Sequence, residues 1–284
     1  MLSEFMGFHT LISVSDLFEH LNDPEWAIVD CRFSLKDSLY GRKEYLKAHI
    51  PGAIYAHLDE DLCGPIIRGK TGRHPLPQIA DIVQKFSDWG IDENVQVVSY
   101  DDAGGSMAAA RLWWLLQWLG HTHVAVLDGG WQAWLRAGHL TCSGEEQRMA
   151  RVFHPNTKPE ILATVELVEQ AMNNPHYLII DSRTRDRYLG ENEPIDPIAG
   201  HIPSAICIPY TENTDKDGFF LPADALRVCF EGISPQQTIF YCGSGVTAAQ
   251  NVLAMVHSGL GFPKLYAGSW SEWITDPNHP IATG

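Results

Sequence analysis

The chain has 284 residues, enough for two domains of ordinary size, with 45% apolar and 19% charged residues. That balance suits a protein with a buried core and excludes intrinsic disorder, which needs fewer apolar residues and denser charge. Acidic residues outnumber basic ones 35 to 20, so nucleic acid and anionic membrane surfaces are poor partners, and an anionic substrate needs a locally positive site.

In chain order, the opening Met1-Leu-Ser-Glu-Phe-Met has neither the basic region nor the apolar core of a signal peptide. No later run approaches the roughly 18 apolar residues that cross a bilayer. A buried strand is predicted over 26–30, ending in Asp30-Cys-Arg, with His49-Ile-Pro-Gly-Ala-Ile beyond it. A second apolar run, Val95-Gln-Val-Val, leads to Tyr100-Asp101, and a helix is predicted over 106–119. The strand-like Val124-Ala-Val-Leu and the segment Gly129-Gly-Trp131-Gln-Ala-Trp134 follow. Residues 141–160 carry no apolar period and are rich in Ser, Gly, Glu, Pro and Asn, so they read as a linker.

The same series then returns. Tyr177-Leu-Ile-Ile leads to Asp181-Ser-Arg, and His201-Ile-Pro-Ser-Ala-Ile follows. Thr238-Ile-Phe-Tyr241 delivers Cys242, a helix is predicted over 246–260, and Gly268-Ser-Trp270-Ser-Glu-Trp273 closes the series. Four matches in one order identify a duplicated domain, with expected boundaries at 1–140, 141–160 (linker) and 161–284. Strands alternating with helices predict an α/β fold: in each copy a mainly parallel sheet with helices on both faces. In such sheets ligands bind beyond the carboxyl ends of strands, where Asp101 and Cys242 both fall. His49 and His201 occur in both copies and read as structural; the tryptophans at helical spacing read as core. The six cysteines are scattered without a Cys-x-x-Cys pair, which points to a reducing, cytoplasmic setting. His121-x-His123 has no apparent carboxylate or cysteine partner, so no metal and no cofactor is expected.

The chemistry concentrates at Cys242-Gly-Ser-Gly-Val-Thr247. Glycines let a loop turn tightly and aim several N–H groups inward, and a helix start adds unpaired donors and the positive end of its dipole. A thiol there is expected to be exposed to ligand and to ionise below its usual pKa of about 8.5. Two chemistries suit such a loop, phosphoryl transfer and sulfur transfer. Phosphoryl transfer needs a cation on the equatorial oxygens, which cysteine phosphatases place six residues after the cysteine. Here that position is Ala248, and no Lys or Arg lies between Cys242 and Lys264. Sulfur transfer is favoured.

The motifs Asp181-Ser-Arg-x-x-x-Arg187-Tyr, Gly200-His-Ile-Pro, Gly268-Ser-Trp-Ser-Glu-Trp273 and the Cys242 loop resemble those of tandem-domain rhodanese-type sulfurtransferases. The loop itself resembles the 3-mercaptopyruvate branch, and the resemblance covers nearly the whole chain. It implies two rhodanese-like domains with the reactive cysteine only in the second, which agrees with Asp101 at the equivalent place in the first. It implies Arg187 as a substrate-binding residue, since a planar guanidinium suits a carboxylate or sulfonate; the alternative is an ion pair with Asp186 or Glu191. The loop residues Gly243, Gly245, Val246 and Thr247 would contact substrate. A second arginine that some relatives carry before Gly-His-Ile-Pro is missing, and Ile195 or Asp196 stands near its place. By the same resemblance Ser244, His74 and Asp59 form a relay that handles a proton, with Asp61 competing for the role of Asp59. The implied donor is 3-mercaptopyruvate, with thiosulfate as the rival, and the acceptor is a thiol such as thioredoxin, or cyanide. A carrier that accepts one sulfur without turnover is the non-enzymatic alternative.

Overall fold

Two five-stranded sheets, both wholly parallel, repeat one strand order in this computed structural model, which describes residues 7–284. The segment Met1-Leu-Ser-Glu-Phe-Met, read above for a signal peptide, lies outside the described residues. In the first unit the strands are β1 (Leu11–Ile12), β2 (Trp26–Asp30), β3 (Ile54–Tyr55), β4 (Gln96–Tyr100) and β5 (Val124–Leu127). Their order is β1-β5-β4-β2-β3. The helices are α1 (Val14–Glu19), α2 (Tyr40–Lys47), α3 (Leu58–Asp61), α4 (Ile79–Asp88), α5 (Ala108–Trp118) and α6 (Gly130–Arg136). Strands β2, β4 and β5 are buried at every residue, as strands covered on both faces must be. Helix α5 is buried all round, and Trp113 and Trp114 are fully enclosed, so the tryptophans are core.

The second unit has β6 (Leu162–Ala163), β7 (Leu178–Asp181), β8 (Ile206–Cys207), β9 (Thr238–Tyr241) and β10 (Lys264–Tyr266), ordered β6-β10-β9-β7-β8. Its helices are α7 (Val165–Met172), α8 (Arg185–Leu189), α9 (Ala223–Cys229), α10 (Thr247–His257) and α11 (Ser269–Trp273). In each sheet the chain leaves the pair β2/β4, or β7/β9, in opposite directions. That switch point, at the carboxyl ends of β4 and β9, is where parallel sheets of this kind bind ligands.

Each copy braces this point in the same way. Asp30 and Arg32 form a buried pair, with Arg32 Nη2 donating to Asp30 Oδ2 at 2.6 Å and the guanidinium 4.5 Å from the Trp131 ring. Asp181, Arg183 and Trp270 repeat it at 2.6 and 4.9 Å. His49 stacks on Tyr45 and bonds its carbonyl, and His201 does the same with Tyr188. These pairs and histidines are structural.

The chain divides otherwise than at 140 and 160. One unit comprises the residues up to Asp61 with Ile79–Thr157; the other comprises Leu62–Gln78 with Lys158–Gly284. Most of the expected linker is a strap on the first unit. Cys142 pairs with His49 in an antiparallel bridge, Arg151 salt-bridges Glu25 and Asp92, and buried Phe153 packs on Phe86. Conversely, residues 62–78 cross to the second unit, and this crossing matters for the site.

Candidate functional site

Strand β9 ends at Tyr241 and α10 begins at Thr247, leaving Cys242–Val246 as a tight loop between them. Its shape follows from local constraints. Gly245 has φ +74°, and a Cβ there would run into the Ala267 carbonyl oxygen, so only glycine fits. The start of α11 fastens the other side: Trp270 N donates to Cys242 O at 3.0 Å and Ser271 N to Gly243 O at 2.9 Å. Ser269 Oγ accepts from Cys242 N at 3.1 Å and donates to Tyr266 O.

Burial works against ionisation of the Cys242 thiol, yet its pKa lies below the ordinary thiol value. The Thr247 hydroxyl and the backbone N–H groups of Ser244, Ala248 and Gly245 all hydrogen-bond the sulfur, and together they outweigh the burial. Ala248, where a phosphatase would carry its arginine, thus contributes a backbone donor. The first copy shows how many donors such a turn supplies. Asp101 accepts N–H bonds from Ala103, Gly105, Met107 and Ala109 at 2.8 to 3.2 Å. A carboxylate there is a built-in occupant of the nest, with no sulfur to transfer.

The expectation of an exposed thiol is corrected: Cys242 is only 2% exposed. The α11 turn closes over the loop, and Ser244 and Val246 are buried with it.

Ser244 and His74 meet. His74 Nδ1 lies 2.7 Å from Ser244 Oγ, because residues 62–78 belong to the same unit as the loop. Arg73 N donates to Ser271 Oγ at 3.0 Å, which pins this segment beside α11. Asp59 sits in the first turn of α3, in the other unit. Its competitor Asp61 is committed locally, accepting from His57 N at 2.7 Å and pairing with Lys85 at 2.7 Å.

Arg187, on α8, is not paired with Asp186 or Glu191, the partners considered above. Its Nε and Nη2 grip the Glu193 carboxylate at 2.8 to 3.2 Å, and Nη2 also reaches Asp196 Oδ2 at 3.1 Å. Asp196 Oδ1 in turn accepts from Arg73. Arg73 was not predicted. A Cβ on Gly243 would lie 2.8 Å from Arg73 Nη2 and 3.4 Å from Arg187 Nη2, so two guanidiniums flank the residue after the cysteine. The local sequence therefore understates the positive charge at this loop, because both cations arrive from distant segments.

A cavity of about 480 Å³ lies in the first unit, lined by Arg42, Tyr55, Lys85, Asp88, Glu146 and Arg148 among others. Asp61 lines it, but Cys242, Ser244, His74 and Asp59 do not. Among the described residues no cluster of His, Cys, Asp and Glu has metal-site geometry, and no helix is long and apolar enough to cross a membrane.

A family model for the rhodanese-like domain matches the chain twice, over residues 13–137 and 164–276. A protein of Pseudomonas aeruginosa described as "Probable 3-mercaptopyruvate sulfurtransferase" is 44% identical over 98% of this chain and 100% of its own length. The thiosulfate sulfurtransferase of Mus musculus is 31% identical over 94% of this chain and 92% of its own. Among solved structures, 3-mercaptopyruvate sulfurtransferase from Leishmania major superposes with a TM-score of 0.81 at 34% identity, covering 93% of this chain and 74% of that one.

Proposed function

Since the chain belongs to the rhodanese-like domain family, we propose that it is a sulfurtransferase in which Cys242 carries the sulfur and 3-mercaptopyruvate donates it. The observation that carries this reading is the ring of donors around one sulfur: Thr247, Ser244, Gly245 and Ala248 together hold the thiol below its ordinary pKa despite burial. A thiolate is the nucleophile that sulfur transfer needs.

In the first half-reaction the Cys242 thiolate attacks the donor's sulfur. An S–S bond forms as the C–S bond breaks, and its electron pair leaves on carbon as the enolate of pyruvate. The donor's thiol proton ends on that carbon, and Ser244 with His74, 2.7 Å apart, passes it on. In the second half-reaction an acceptor takes the outer sulfur and returns Cys242 as thiolate. A thiol such as thioredoxin leaves as a persulfide, and cyanide leaves as thiocyanate. A thiol only 2% exposed admits a small donor, and the persulfide sulfur then stands about 2 Å farther out, where an acceptor meets it. Arg187, Gly243, Gly245, Val246 and Thr247 form the donor's surroundings, and Arg187 holds its carboxylate. All six cysteines are free thiols, which fits a reducing cytoplasmic setting.

Mass spectrometry tests this directly. Treatment with 3-mercaptopyruvate should add one sulfur atom to the Cys242 peptide, and thioredoxin or cyanide should remove it. Turnover by a Cys242→Ser variant would refute the reading. Thiosulfate is the second donor to compare, because two guanidiniums beside Gly243 also suit its charge; kcat/KM should be higher for 3-mercaptopyruvate.

A further inference from the structure

Residues 62–78 do more than deliver His74 to Ser244. No Asp or Glu occurs from Leu62 to Ala80, whereas Arg68, Lys70 and Arg73 do, in a chain whose acidic residues outnumber basic ones 35 to 20. The two legs of the segment are tied at the base. Gly64 N donates to Pro75 O at 3.0 Å, and a Cβ on Gly64 would meet the Leu76 carbonyl oxygen. Gly72 seats the second leg on α11, since a Cβ there would lie 2.6 Å from Ser271 Oγ and 2.7 Å from Gly268 O. Between the legs, Lys70 N and Thr71 N both donate to Ile67 O at 3.0 Å, and Ile67 N donates to Thr71 Oγ1 at 2.9 Å. These bonds close a turn that φ +75° at Gly69 permits.

The turn presents both apolar surface and free charge. Ile66 and Ile67 are 65% and 52% exposed. Arg68 and Lys70 beside them are exposed too, and neither pairs with a carboxylate among the described residues. A solvated turn gains nothing from two adjacent exposed isoleucines, whereas apolar side chains rimmed by charge mark an interaction surface. On the other side of Arg73, Asp196 accepts from it and is bracketed by Ile195 and Ile198, which are also exposed. The turn ends three residues before Arg73, whose guanidinium flanks Gly243. All of these residues belong to the unit that carries Cys242, a sulfur only 2% exposed. A small acceptor diffuses to such a sulfur, but a protein must bring its thiol there and hold it, which takes a surface alongside.

We propose that the turn Ile66–Lys70 is a docking surface for a protein acceptor, and that this partner carries its thiol beside an acidic, partly apolar face. This rests on Cys242 being the sulfur carrier. Complementary charge decides the partner: the net negative charge of the chain repels an acidic protein, and a basic turn gives that protein a place to land next to the reactive loop. Once docked, the acceptor thiolate attacks the outer sulfur of the persulfide. The old S–S bond breaks as the new one forms, and Cys242 departs as thiolate. In a dithiol acceptor the second thiol then displaces hydrosulfide, so the dithiol is oxidised to a disulfide and the transferred sulfur is reduced to sulfide.

The experiment uses the full chain with 3-mercaptopyruvate as donor and compares two acceptors: a thioredoxin of acidic isoelectric point, and dithiothreitol, a dithiol too small to need a docking surface. In a double-displacement reaction kcat/KM for each substrate reports its own half-reaction. Arg68→Glu combined with Lys70→Glu should lower kcat/KM for thioredoxin about 10-fold at low salt and remove its decline with rising ionic strength. The values for dithiothreitol and for 3-mercaptopyruvate should be unchanged. Ile66→Ser combined with Ile67→Ser should lower the thioredoxin value and leave its salt dependence in place. An unchanged thioredoxin value in the charge-reversed variant would overturn the proposal. So would an equal fall for dithiothreitol or 3-mercaptopyruvate, which would assign the two charges to small molecules or to the fold. Absence of a Cys242 persulfide after the unmodified protein meets 3-mercaptopyruvate would instead overturn the sulfur-carrier reading beneath it.

Discussion

His74 Nδ1 and Ser244 Oγ lie 2.7 Å apart although 170 residues separate them in the chain. The hydroxyl belongs to the nest around the sulfur, since Ser244 N–H also hydrogen-bonds Cys242. In the proposed mechanism one residue then serves two steps, its backbone steadying the thiolate and its side chain handling the proton. Ser244→Ala keeps the backbone donor and removes the hydroxyl. With 3-mercaptopyruvate its kcat should fall by roughly 10²-fold, within the usual range for a proton-transfer group. With thiosulfate, whose sulfite leaves without needing a proton on carbon, the fall should be much smaller. Equal losses with both donors, measured by steady-state kinetics, would count against the relay.

Thr247 supplies the largest of the interactions that lower the Cys242 pKa, ahead of the backbone donors. Thr247→Val removes that hydrogen bond at nearly constant volume. A hydrogen bond to a charged group contributes about 1.5 kcal/mol, or about one pKa unit, so the pH–rate profile should move up by about that much. Below the midpoint the variant should be roughly tenfold slower; at high pH the two should converge. A profile that does not move would assign the thiolate's stabilisation elsewhere.

The first copy makes a pH prediction with the opposite chemistry. Burial raises the Asp101 carboxyl to about 6, against the pull of its backbone N–H donors. The unfolded carboxyl titrates near about 3.9. Between these values the folded state binds more protons than the unfolded state, so this group's contribution to stability is present below about pH 4 and is lost as pH rises toward 6. Asp101→Asn should remove that slope, on the order of 2–3 kcal/mol, from the pH dependence of denaturant unfolding of the first unit. Parallel curves for the two proteins would contradict it.

The Asp181–Arg183 pair is fully enclosed beneath the site. Asp181→Asn removes the closer carboxylate and leaves the buried guanidinium with Glu193 alone, at 3.2 Å, a change that should cost up to about 3–5 kcal/mol. Asp30→Asn should cost a similar amount in the first unit, because Asp30 and Arg32 are equally buried. Chemical denaturation with unit-specific probes checks both, and a loss below 1 kcal/mol in either would show the pair to be replaceable by water or a neighbour.

Much of this was legible in the sequence. Strands β5 and β9 occupy the residues predicted for them, and α5 and α10 fall inside the predicted helices, because a buried parallel strand or an enclosed helix is a continuous apolar run. Strands β1, β3, β6, β8 and β10 were not predicted; two or three residues are too few for any period to register. Repetition separated the structural Asp30–Arg32 and Asp181–Arg183 pairs from the unrepeated Cys242. Residues 62–78 defeated the sequence reading. Nothing in Thr71-Gly-Arg-His74 says that the segment leaves one unit for the other, so Arg73 stayed unseen beside a loop that looked free of cations. Had the segment's destination been known, an arginine next to the relay histidine would have been the signal.

The central claim is that amide and hydroxyl donors hold Cys242 as a thiolate, and a direct titration of that sulfur tests it best. Ultraviolet absorbance of the unmodified protein against pH, with Cys242→Ser as the blank, isolates its ionisation from the other five cysteines. The account predicts a midpoint below the ordinary thiol value of about 8.5, moving upward in Thr247→Val. A midpoint at or above that value would contradict it.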